Sequence, residues 1–128
     1  MNRDDTQREK TYPFPTPEWY WKKGLHDAHI LSKILLPTDE LPTISYIANG
    51  LELRLDSSMA MFDTKVCAIR FYNYKELTTE ILLEDSWWAE DVISREGNKF
   101  LLQLRVLQKK KWDTYRLRFE SCEVIRLR

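Results

Sequence analysis

The stretch EGNKFLLQLRVLQKKKWDTYRLRFE, residues 96–120, decides the fold. Phe100, Leu102, Leu104 and Val106 form one apolar row at every second position, and Tyr115, Leu117 and Phe119 form another beyond a lysine-rich break. A period of two is the mark of a strand with one face on a core. Gly97-Asn98 is a two-residue hairpin signal; it sets Glu96 opposite Lys99 and Ile93 opposite Leu102, so opposite charges meet and apolar residues share a face. The second hairpin can be read by parity. Its two apolar rows share a face only if paired residue numbers sum to an odd number, which a two-residue turn at Lys110-Lys111 provides. That register sets Leu104 against Leu117 and Val106 against Tyr115. On the outer face it sets Gln103 against Arg118 and Arg105 against Arg116, a like-charge contact that needs a neighbouring carboxylate or a partner to supply negative charge.

Outward from this stretch the same period recurs. Candidate strands are 27–36, 43–48, 50–56, 65–73, 77–83, 91–96, 99–108 and 112–120, with a last one near 123–127. Leu51, Leu53 and Leu55 point one way while Glu52 and Arg54 point the other, and Asn49-Gly50 before them carries a hairpin-turn signal. Residues 1–17 read as a polar tail and proline-rich arm, leaving 18–128 as a single β-rich domain. At its start Thr16 suits an N-cap, Pro17 a first helical position and Gly24 a C-terminal cap, which predicts a short helix or turn. Strands joined by short turns without crossover helices predict a mainly β protein: an antiparallel meander forming a sandwich or partly closed barrel.

Composition narrows the class. A chain of 128 residues can bury one core without metal or disulfide support. No apolar run approaches the roughly 18 residues that span a bilayer, and no signal peptide is visible, so the expectation is a cytoplasmic protein with no membrane anchor. Cys67 and Cys122 are far apart and lack CxxC spacing. Net charge is zero but unevenly spread: residues 1–94 carry 10 Lys/Arg against 16 Asp/Glu, and residues 95–128 carry 10 against 4. Such asymmetry marks either an anionic partner or two parts of the chain that neutralise each other.

The chain's two histidines lie in HDAH, residues 26–29. Zinc needs three or four converging ligands, no further histidine exists, and on a strand His26 and His29 face opposite sides. The reading is therefore structural: Asp27 caps a turn and His26 packs on a tryptophan. Cys67 sits in an apolar run and reads as a core residue, whereas Cys122, at a strand bend, reads as more exposed. With three glycines the chain has no phosphate-cradling loop, and no nucleophile motif occurs. No catalytic residue, metal or cofactor is expected.

Binding residues are easier to nominate. Trp87 and Trp88 are adjacent and cannot both face inward from one strand, and Trp19 and Trp21 crowd a short element with Tyr20. An exposed member of either group is an anchor for a partner. Arg105, Arg116 and Arg118 share one outer face in the register above. A basic stripe interleaved with aromatics would be the footprint of single-strand nucleic-acid binding, but the neutral chain and the lack of an alternating aromatic argue against it and for a protein partner with an acidic surface. A small-ligand site beside Trp87-Trp88, a hydrolase built on HDAH and a homodimer through a sheet edge stay open as alternatives.

GLHDAHI (24–30), LELRLD (51–56), VCAIRFYN (66–73) and the closing amphipathic strands together resemble a group of small uncharacterised bacterial β-proteins. Some of these are similar to immunity proteins, which bind and neutralise a partner toxin. The resemblance implies a cytoplasmic, non-enzymatic protein whose surface is its function.

Overall fold

A computed structural model describes the backbone of residues 6–13, 28–41, 43, 47–56 and 66–127, and the side chains of 28–41, 43, 47–56 and 68–123. Among these residues the strands are β1 (Thr6–Pro13), β2 (Ala28–Leu35), β3 (Gly50–Asp56), β4 (Val66–Tyr72), β5 (Lys75–Glu76), β6 (Ser86–Glu96), β7 (Lys99–Gln108), β8 (Lys111–Phe119) and β9 (Ser121–Leu127). They form one antiparallel sheet in the order β1-β9-β4-β3-β2-β6-β7-β8-β5. The helical content of the described residues is one 3-10 turn at Thr38–Glu40. No helix among them is long and apolar enough to cross a membrane.

The sheet wraps because two of its strands bend. Tyr72↔Ser121 pairs β4 with β9, and Lys75↔Arg118 pairs β5 with β8; each strand has advanced three residues, so one register runs through both pairs. β4 and β5 are thus one strand bent at Asn73-Tyr74, and β8 and β9 one strand bent at Glu120. Side chains fix the bend: Asn73, at φ 51°, donates from Nδ2 to Glu120 Oε1 at 2.9 Å and accepts from Ala48 N at 2.7 Å. The wrap brings β4 against β8, where Phe71 and Phe119 meet edge-on at 4.9 Å.

One core fills the concave side. It collects Leu51, Leu53 and Leu55 from β3, Leu102, Leu104 and Val106 from β7, and Tyr115, Leu117 and Phe119 from β8, with Trp88 from β6 fully buried among them. Closure is partial. β2 meets β6 through Ala28↔Trp88, His29↔Trp87 and Ile30↔Ser86, after which the strands part. A bulge at Leu31 then turns Lys33 into the core-facing row opposite Leu53. There Lys33 Nζ and the Tyr115 hydroxyl both donate to Glu76 Oε2 at 2.7 Å, tying β2 to β5 and β8 across the opening.

The convex side of β3 and β4 is also buried. Glu52, 3% exposed, accepts from Arg70 Nε at 2.9 Å and Arg54 Nη2 at 3.2 Å, and Glu123 accepts from the Tyr72 hydroxyl at 2.6 Å. Paired and hydrogen-bonded in this way, the carboxylates are tolerated where lone ones would not be.

Most strands fall where the period of two places them, and Gly97-Asn98 forms its hairpin with Glu96↔Lys99 and Ile93↔Leu102. Five expectations are corrected. Of the expected strand 43–48, residues 43, 47 and 48 are not in a strand and 44–46 lie outside the described residues; 77–83 is not a strand either. Asn49-Gly50 is no hairpin turn: Gly50 opens β3 and is packed so closely that a Cβ there would lie 2.7 Å from Leu36 and 2.9 Å from Leu41. Thr6–Pro13, within the expected tail and arm, pairs as β1 with β9. Cys122 is buried rather than exposed, and burial pushes its thiol up to about 12, so it is an inert core group. Finally, the turn between β7 and β8 lies at Lys109-Lys110, both with positive φ, 49° and 67°. Positive φ at both central residues is the type I′ geometry, whose twist matches that of the flanking strands. The odd-sum parity holds, but every pair moves by two: Leu104 faces Tyr115, Leu102 faces Leu117, and Arg105 faces Thr114 instead of Arg116. The helix or turn expected at 16–24, with Trp19, Trp21, His26 and Asp27, lies outside the described residues.

Candidate functional site

The convex face of β6, β7 and β8 is the exposed face that carries the nominated side chains. Across it runs one row, His29 on β2, Trp87 on β6, Leu107 on β7 and Trp112 on β8, each the registered partner of the next. His29 stacks on Trp87 with ring centroids 4.7 Å apart and 20° between planes, and its Nε2 lies 2.7 Å from Asp85 Oδ1. Asp85 occupies the turn before β6 at φ 64°, a conformation that aspartate tolerates better than most residues. Trp87 and Trp112 are 42% and 50% exposed, so both aromatic anchors of the row stand in solvent. Adjacent Trp88 points the other way and is fully buried, as alternation requires.

The next rows supply charge. Arg105 lies over the Trp112 ring, its guanidinium carbon 4.6 Å from the centroid, and its Nη1 is 3.7 Å from Glu90 Oε2. Arg116 Nε donates to Gln103 Oε1 at 3.3 Å, and Arg118 Nε donates to Glu96 Oε1 at 3.0 Å. The nominated arginines therefore do share one face, but as a mixed surface: two of them meet carboxylates, and Arg116 bonds a neutral amide.

A bulge at Ala89 shifts the β6–β7 register and helps form a shallow hollow of about 200 Å³ lined by Glu90, Asp91, Val92, Gln103, Arg105 and Thr114. Asp91 pairs with Leu104, in the core-facing row, and its Oδ2 is buried without a hydrogen-bond partner. Desolvation pushes its carboxyl up to about 6. Among the described residues no group of three His, Cys, Asp or Glu side chains could hold a metal ion. The His29–Asp85 pair sits at the surface, with the Asp85 side chain 80% exposed, so it lacks the shelter that strengthens acid–base chemistry.

Trp112 is the residue that sequence reading misses. A turn at Lys110-Lys111 would set it opposite Lys109 at the hairpin rim; the turn at Lys109-Lys110 sets it opposite Leu107, inside the sheet and in line with Trp87. Lys33 and Glu76 are likewise invisible in the sequence, because a bulge, which no local motif announces, turns Lys33 inward. Compared with known proteins, the chain matches no protein-family model, no curated protein and no solved structure.

Proposed function

We propose that this protein is a non-enzymatic binding module that docks another protein on the convex face of β6–β8. The observation that carries the reading is the row of His29, Trp87, Leu107 and Trp112 with Arg105 stacked on its end. Tryptophan and arginine are the residues most enriched at the centres of protein interfaces, where large rings bury much area at little entropic cost. Glu90, Gln103, Arg116 and Arg118 supply the polar rim, and alternating charge there selects partners more than it adds affinity. An inhibitory use of the immunity type is the finer form of this reading and rests on the resemblance in strand pattern. A cytoplasmic setting suits the buried Cys122, which forms no disulfide.

A small ligand in the hollow between Glu90 and Arg105 is the second reading, favoured by the unpartnered Asp91 oxygen. At about 200 Å³ the hollow falls below the several hundred Å³ typical of ligand pockets, which keeps this reading second.

The test is affinity capture from nuclease-treated lysate of the native host, followed by binding of the purified partner. Wild type is compared with Trp87→Ala/Trp112→Ala and with Arg105→Glu/Arg116→Glu/Arg118→Glu, each shown to be folded. A partner that binds wild type and is lost by both variants places the interface on this face. A partner held equally by all three proteins removes it.

A further inference from the structure

The tip of the β7–β8 hairpin is built from residues its geometry does not favour. Type I′ turns select asparagine and glycine, because both central residues must take positive φ; here the positions hold Lys109 and Lys110. Both lysines are exposed, Lys111 follows them, and among the described residues neither Lys109 nor Lys110 makes an ion pair. From the tip, the convex side of β8 continues through Trp112, Thr114, Arg116 and Arg118 at alternate positions. Arg116 has a neutral partner, and Arg105 from β7 lies over Trp112. A strained turn that keeps two unneutralised cations, beside an exposed indole and three arginines, fits a polyanion with aromatic rings of its own.

We propose that this side of the hairpin binds single-stranded nucleic acid, with phosphates on Lys109, Lys110 and Arg116 and a base against Trp112. The strand rise makes the path from Lys110 to Arg118 roughly 26 Å long, room for about four nucleotides, at the low end of single-strand site sizes. A duplex keeps its bases stacked and could not offer one to Trp112, so single strands are preferred. The alternating aromatic that such a surface needs is Trp112. This inference goes beyond protein binding; both ligands would use Trp112 and Arg105, so they would compete.

The experiment is fluorescence anisotropy with labelled oligo-dT and oligo-rU of about fifteen nucleotides, at about 50 mM salt and upward. Wild type should bind, and log affinity should fall against log salt with a slope of about −2 to −3, the release expected of three or four phosphates. Lys109→Glu/Lys110→Glu and Trp112→Ala should each weaken binding at least about tenfold with the melting temperature held, while Lys109→Arg/Lys110→Arg should retain it. The proposal is overturned by no binding to either oligonucleotide, by binding indifferent to these variants, or by equal affinity for a duplex of the same length. Binding to phosphatidylserine vesicles without binding to the oligonucleotides would also overturn it, in favour of a membrane surface. Each result leaves protein docking to be judged separately, since that capture is done after nuclease treatment.

Discussion

His29 stacks on Trp87 across the seam where β2 meets β6, with centroids 4.7 Å apart, at one of the three residue pairs that join the two strands. Because the seam is short, a side-chain contact carries an unusual share of its cohesion. Aromatic pairs are worth about 0.5–1.5 kcal/mol beyond their area. His29→Ala and Trp87→Ala should each destabilise by roughly 1–2 kcal/mol. In a double-mutant cycle by urea unfolding, a coupling energy near zero would show that the stack is only adjacency.

Asp91 predicts a pH dependence. Its folded carboxyl is raised to about 6 from an ordinary 3.8. The folded state therefore binds this proton more tightly than the unfolded chain, so stability falls as pH rises from about 4 through about 6, and the cost is complete above that. Asp91→Asn removes it. The variant should gain on the order of 1–2 kcal/mol over wild type at neutral pH and little at acid pH. Equal gains at the two pH values would show that Asp91 carries no buried charge.

The Glu52–Arg70 pair predicts an asymmetry between its partners. Glu52 is 3% exposed and accepts from both Arg70 and Arg54. Arg70→Ala removes the closer donor and leaves the buried carboxylate with Arg54, which should cost about 2–3 kcal/mol, whereas Glu52→Gln keeps an acceptor and should cost less. Thermal unfolding of both variants checks the order; if Glu52→Gln costs more, the pair's charge outweighs its hydrogen bonds.

The Lys109-Lys110 turn predicts a conflict between stability and binding. Left-handed conformation costs a residue with a Cβ roughly 1–2 kcal/mol, most of which asparagine and glycine avoid. Lys109→Asn/Lys110→Gly should therefore raise the free energy of unfolding by on the order of 1–2 kcal/mol while weakening oligonucleotide binding. A variant that is no more stable would mean that the lysines sit in the turn without strain.

The strands were legible because their period is local. β3 and β7 are read from Leu51, Leu53 and Leu55 and from Phe100 to Val106 without any knowledge of neighbours. Register was legible only as far as parity, since Lys109-Lys110 and Lys110-Lys111 differ by no feature of sequence beyond position, and tertiary twist chooses between them. The bends at Asn73 and Glu120 were not legible, because each is fixed by residues of the other strand. The site was half legible: the arginines and Trp87 followed from alternation, while Trp112 depended on the turn. Lys33 and Glu76 depended on a bulge and on a wrap that brings β2, β5 and β8 together.

The pairing of β1 with β9 has a consequence for how the chain is made. β1 leaves the ribosome early, yet its neighbour is the last strand of the sheet, and β9 also covers the edge of β4. Until β9 emerges, β4 offers a row of unsatisfied peptide groups that any passing strand could join. Synthesis thus holds the chain in an adhesive intermediate, and the segment from Ser121 onward ends that exposure. Ribosome-stalled chains truncated before Ser121 should aggregate when released, and chains carrying β9 should not.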